Sequence, residues 1–144
     1  MKRVPMLTII LILALSACSP TAQPGAASQS AVKLAPVSQM PAEVRQAPAP
    51  VREAYQFAVA NPQVLEHVPC YCGCGSIGHT SNLACYVQEL KPDGSVKFDD
   101  HALGCSLCVD IARDSMRMTS EGKSLEEIRA AIVSSYSQFG PPNQ

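Results

Sequence analysis

The chain of 144 residues has no tryptophan, only four tyrosines and three phenylalanines, and few charged residues. Its 11 lysines and arginines are balanced by 12 aspartates and glutamates, so it has no excess of positive charge with which to bind a nucleic-acid backbone. Its length allows one small domain and excludes a large multidomain enzyme. The sequence has no HExxH motif, phosphate-binding glycine loop or Ser-His-Asp signature. These absences favour a small binding protein over an enzyme and argue against nucleic acid as a partner.

The first 17 residues have the layout of a secretory signal peptide. Lys2 and Arg3 precede an apolar run from Met6 to Leu15, which is too short to form a stable membrane span. The run ends in Leu-Ser-Ala-Cys, which resembles the bacterial lipobox, where the cysteine, here Cys18, is lipidated and becomes the mature N-terminus. We therefore expect an extracytoplasmic protein, in the cell envelope or periplasm, that contacts a bacterial membrane through lipid on Cys18.

Residues 18–50 differ in composition from the rest of the chain. They are mainly alanine, proline, serine and glutamine, and they include no aromatic residue. Such a segment buries too little apolar surface to offset the entropy lost on ordering. The composition therefore predicts a disordered tether between the lipidated cysteine and a folded domain.

The domain predicted over residues 51–140 is mainly α-helical with a minor β-hairpin. Asn61 is a typical N-cap residue, Gly94 ends a turn typical of hairpins, and Ser124 begins a capping box. The predicted elements are helices over 51–60 and 62–67, strands over 85–90 and 95–98, and helices over about 105–119 and 124–138.

Six cysteines fall within this predicted domain: Cys70, Cys72, Cys74, Cys85, Cys105 and Cys108. An even number in an exported domain is compatible with three disulfides, so a disulfide-stapled interaction module is one alternative. Ring closure between cysteines two residues apart is strained, which disfavours disulfides within the first cluster. In an extended segment, Cys70, Cys72 and Cys74 share one face and can direct three sulfurs at one soft metal ion.

Each of the three histidines, His67, His79 and His101, lies close in sequence to a cysteine, which makes each a candidate ligand. A helix beginning near His101 would place His101, Cys105 and Cys108 on one face. Thiolates favour Cu(I) or zinc, and six sulfurs exceed the needs of one tetrahedral zinc ion. Copper(I) is therefore the first choice of metal and zinc the second. The Cys105/Cys108 pair at a helix start also leaves a thiol-disulfide oxidoreductase as an alternative.

The segment Pro-Cys-Tyr-Cys-Gly-Cys at 69–74, followed by Gly78-His79 and the Cys105/Cys108 pair, resembles the bacterial family named for its PCYCGC motif. The similarity spans about residues 51–138. Members of that family are typically exported lipoproteins, in agreement with the lipobox, and the resemblance implies a metal-binding role. A protein of this kind would have a metal-donor or metal-acceptor protein as its partner.

Overall fold

The computed structural model describes residues 31–143. The helices and strands, in chain order, are α1 (Ala42–Gln46), α2 (Ala49–Ala60), α3 (Pro62–His67), β1 (Val87–Leu90), β2 (Val96–Phe98), α4 (His101–Gly104), α5 (Ser106–Ser120) and α6 (Leu125–Tyr136). The predicted fold class, mainly α with one hairpin, is confirmed. The predicted signal peptide, Cys18 and the first part of the predicted tether lie outside the described residues. In the part of the chain that the structure describes, no helix has the length and apolar character needed to cross a membrane.

The long helices α2, α5 and α6 form what we call the helical body. Helix α5 packs against both α2 and α6. Large side chains from all three helices meet in the core, where Tyr55, Ile111 and Ile128 are buried. Burial of these apolar stripes is the main favourable contribution to folding of such helices. The helices predicted over 51–60 and about 105–119 correspond to α2 and α5 and are confirmed.

The predicted hairpin is also confirmed. Gly94 has a φ of 83°, a left-handed conformation that glycine adopts without strain, and it lies in the turn between the strands. The strands are antiparallel, with Val87 opposite Phe98. Cys85, predicted in the first strand, instead ends a short 3₁₀ turn before β1.

Both predicted N-cap positions are confirmed, but only one of the two side chains makes the capping hydrogen bond. At the start of α6, the Glu127 N–H donates to Ser124 Oγ over 3.3 Å, and the Ser124 N–H donates to Glu127 Oε2 over 2.8 Å. Asn61 precedes α3 but its side chain does not cap that helix. Its Nδ2 donates to the carbonyls of Phe57 and Lys33 instead. The Asn61 side chain thus pairs with a backbone carbonyl near the end of α2, and not with the N–H groups at the start of α3.

The prediction of a disordered tether is wrong for residues 31–50. Met40 is 1% exposed and Val44 is 0% exposed, and both belong to the apolar core. Residue 35 is paired with α2, because the Ala35 N–H donates to the Gln56 carbonyl over 3.0 Å and Gln56 Nε2 donates back over 2.7 Å. Ala35, Met40 and Val44 thus belong to the packed core. The amino-acid composition of the segment does not reveal this packing.

Candidate metal centre

The motif cysteines lie in an irregular segment that we call the cysteine loop, residues 69–85. At its start Cys70 forms a single antiparallel bridge with Asn143, whose N–H donates to the Cys70 carbonyl over 2.7 Å. Gly73 then takes a left-handed conformation with a φ of 77°, and a 3₁₀ turn begins at Cys74. The extended geometry predicted for all three motif cysteines is therefore wrong from Gly73 onward. The chain turns there, and Cys74 joins a different set of side chains.

Three thiols of the cysteine loop meet one thiol of α5 and form what we call the four-thiol group: Cys70, Cys72, Cys85 and Cys108. The Cys70 sulfur lies 3.4 Å from that of Cys72, 3.5 Å from that of Cys108 and 3.7 Å from that of Cys85. A tetrahedral zinc ion with Zn–S bonds of about 2.3 Å holds its sulfurs about 3.8 Å apart. The four thiols are therefore spaced closely enough to hold a metal ion together.

Polar side chains support this group from the protein side. Tyr86 Oη donates to the Cys108 carbonyl over 2.7 Å, and Asn82 Nδ2 donates to the same carbonyl over 3.2 Å. Asn82 Nδ2 also lies 3.7 Å from the Cys70 sulfur. On the other side, Asn143 Nδ2 donates to the Cys72 sulfur over 3.5 Å. The two amide donors beside the sulfurs stabilise thiolate charge, and the two bonds to the Cys108 carbonyl fix the backbone of that ligand.

The four thiols also influence one another's protonation. Hydrogen bonds from Cys108 and Cys85 hold the pKa of the Cys70 thiol well below its usual range. Hydrogen bonds with Cys70 and Cys85, together with burial, raise the pKa of Cys108. Because thiols bind metal as thiolates, a metal cation would replace the protons of this group. Metal binding at this group is therefore expected to release protons.

Two further groups border the first and share members with it. One combines Cys72 and Cys108 with Cys105 and His101, and the other combines His101 with Cys74 and His79. The candidate ligand atoms within each group lie within 4.8 Å of one another. The structure therefore brings all six predicted cysteines and two of the three predicted histidines into one continuous constellation.

The grouping of His101 with Cys105 and Cys108 does not require the single helix considered from the sequence. The chain forms the short helix α4 from His101 to Gly104, leaves helical geometry at Cys105 and starts α5 at the next residue. The break lets His101 approach Cys74, whose sulfur lies 2.8 Å from His101 Nε2.

The thiol geometry does not favour either alternative drawn from the sequence. The six cysteines of the constellation are all free thiols, which departs from the three-disulfide alternative. For the thiol-disulfide alternative, Cys108 is fully buried, and both Cys105 and Cys108 belong to a candidate metal group together with Cys72 and His101. Burial and the neighbouring thiols raise the pKa of Cys74, which lies beside His101 in a candidate metal group. Metal coordination is the chemistry that this arrangement suits.

The family model described as "Protein of unknown function with PCYCGC motif" matches residues 7–144. The chain belongs to the PCYCGC family. Searches among curated proteins and among solved structures gave no significant match.

The fold gives each position of the PCYCGC motif a physical role. Pro69 and Tyr71 are buried and fix the start of the loop to the core. Cys70 and Cys72 supply two sulfurs to the four-thiol group. Gly73 has a positive φ, which a residue with a Cβ adopts only with strain. The motif therefore encodes a buried anchor, two adjacent ligands and a turn that redirects the next cysteine.

His67, the third predicted histidine, belongs to none of the candidate metal groups. It ends α3, and its carbonyl accepts a hydrogen bond from Arg129 Nη1 over 2.8 Å. Although His67 lies close to Cys70 in sequence, its ring nitrogens do not join the candidate ligand atoms. Conversely, sequence reasoning missed Asn82, Tyr86 and Asn143, because single polar or aromatic residues outside a motif carry no signal of their position.

Proposed function

We propose that this chain is an exported, lipid-anchored protein that binds a soft metal ion, Cu(I) in preference to zinc, for storage, transfer or homeostasis. The observation that carries the proposal is the sharing of Cys72 and Cys108 between two candidate metal groups. Shared thiolates bridge metal ions, whereas separate mononuclear sites need separate ligands.

The choice of copper follows from the number and kind of ligands. The four-thiol group alone would satisfy one tetrahedral zinc ion, and Cys105 and His101 would then remain beside it without a role in that ion's coordination. Soft thiolates select Cu(I), and copper stands above zinc in the affinity order of divalent metals. The sulfur-to-sulfur distances of 3.4 to 3.7 Å around Cys70, close to those of a tetrahedral zinc site, favour zinc as the second candidate.

A competition experiment decides between these candidates. Reduced protein, purified without oxygen, is titrated with Cu(I) and with zinc against chelators of known affinity, and its mass is measured under native and denaturing conditions. We expect more than one Cu(I) per chain and displacement of zinc by Cu(I). Retention of zinc against Cu(I) would contradict the copper assignment. A loss of six hydrogens in mass without bound metal, in protein purified with no added reductant, would support the disulfide-stapled module instead.

The membrane part of the proposal depends on Cys18 and the apolar run before it. The anchored domain would lie outside the cytoplasm, where it exchanges metal with a donor or acceptor protein. We predict that Cys18→Ser abolishes incorporation of labelled fatty acid while the folded domain keeps its circular dichroism spectrum. Cys105→Ser is the matched control and should keep the label. Label retained by Cys18→Ser would show that the lipobox assignment is wrong.

A further inference from the structure

The side of the constellation away from Cys70 and Cys85 consists of Cys74, His79 and His101, which we call the Cys–His₂ group. The Cys74 sulfur lies 2.8 Å from His101 Nε2. The His79 and His101 rings meet edge to face with their centroids 5.2 Å apart. One thiol and two imidazoles thus converge without any contribution from the buried sulfurs Cys70 and Cys85.

His79 has a feature that a purely structural histidine does not need. Its side chain is buried, with the residue 7% exposed, and its Nδ1 has no hydrogen-bond partner. A buried polar atom without a partner costs free energy comparable to a lost hydrogen bond. A metal ion bound at Nδ1 would remove that cost.

Asp99 ties the two histidines together. Its Oδ2 lies 3.5 Å from His79 Nε2, and its Oδ1 accepts the His101 backbone N–H over 2.9 Å. Gln88 and Tyr55 fix Asp99 in turn, since Gln88 Nε2 donates to Oδ2 and Tyr55 Oη donates to the Asp99 carbonyl. A carboxylate beside one ring nitrogen is the usual partner of a histidine whose other nitrogen binds metal. Asp99 therefore holds His79 with Nδ1 as the nitrogen left for an ion.

We infer that Cys74, His79 and His101 form a second, exchangeable zinc site with three protein ligands and one open position, in which Asp99 is the positioning residue for His79. Mixed thiolate and imidazole ligation suits zinc, and an open position is what allows a bound ion to be handed on. His101 also belongs to the group with Cys72, Cys105 and Cys108, so an ion here borders the thiols. The inference rests on the proposed function, because it adds an exchange site to a metal-binding thiol cluster.

Zinc titration of the reduced protein against graded chelators tests this site. We expect two affinity classes in the wild type, a tighter one at the thiols and a weaker one at the Cys–His₂ group. His79→Ala should lose the weaker class and keep the tighter one. Asp99→Asn should weaken the weaker class about 10- to 100-fold, the usual effect of losing a partner of a metal-bound histidine. His67→Ala and Asp100→Asn are matched controls that should leave both classes unchanged.

A measurement on the wild type avoids dependence on variants that fold poorly. The ¹⁵N resonance of His79 Nδ1 should shift when the weaker class fills, whereas the His67 ring nitrogens should not. A single affinity class with an unshifted His79 would overturn this inference and leave the thiol-bound metal intact. Absence of zinc and Cu(I) binding altogether would overturn the proposed function itself.

Discussion

The helical body and the cysteine loop lie in one small domain but are held by different interactions. In the body, side chains such as Tyr55 and Ile111 are fully buried among other apolar groups. The cysteine loop contains only short 3₁₀ turns, and its sulfurs meet at 3.4 to 3.7 Å around Cys70. Apolar packing is independent of metal, whereas clustered thiols gain a common partner only when an ion is bound. The comparison predicts that an ion bound by the thiols would stabilise the loop, whereas the body folds by packing.

The largest effect is expected from Cys70→Ser, because Cys70 contacts the other three sulfurs of the four-thiol group. Loss of an outer partner of a ligand already weakens metal binding about 10- to 100-fold, so loss of this ligand should exceed about 100-fold. Hydrogen exchange should show faster exchange of amides in the cysteine loop and unchanged protection in α5. His67→Ala is the control, since His67 belongs to none of the candidate metal groups. Equal loss of protection in α5 would contradict the comparison.

The second prediction concerns the apolar core rather than the metal ligands, and its variant is Met40→Ala. Met40 is buried in the core, and truncation of such a side chain costs about 2–5 kcal/mol in the free energy of unfolding. Denaturant unfolding should show the same loss with and without metal. Val37→Ala is the control because Val37 is 44% exposed. If Met40→Ala lowered the free energy of unfolding by less than about 0.5 kcal/mol, the segment around Met40 would be a disordered tether after all.

The sequence predicts the fold best where the signal is local. The Ser124–Glu127 capping box and the turn at Gly94 depend on residues a few positions apart, and both are confirmed. Met40 could not be recognised as a core residue from its own segment, because the core cluster that it joins is built mostly from residues farther along the chain. Cys74 was misplaced because the alternation of side chains in an extended segment ends at a glycine with positive φ. Asp99 was missed because its neighbours His79 and His101 come together only in the folded chain.

The smallest effect in this series is expected from Ser124→Ala, at the start of α6 and away from the metal groups. Loss of such an N-cap typically costs about 1 kcal/mol. The melting temperature should fall by the same amount in the metal-free and metal-loaded protein, with metal affinity unchanged. Ser134→Ala, at an exposed position inside α6, should cause no comparable loss. A change of metal affinity in Ser124→Ala would mean that body and loop are coupled.

The bridge between Asn143 and Cys70 has a practical consequence for anyone who produces this protein. The Asn143 side chain donates to the Cys72 sulfur, and its backbone is paired with Cys70. Residues fused shortly after Asn143 would therefore start within a few ångströms of candidate metal ligands. A polyhistidine tag at that end would bring a row of imidazoles to the thiols and compete for the ion. Affinity handles belong at the other end of the domain, ahead of residue 31, if metal stoichiometry is to be measured.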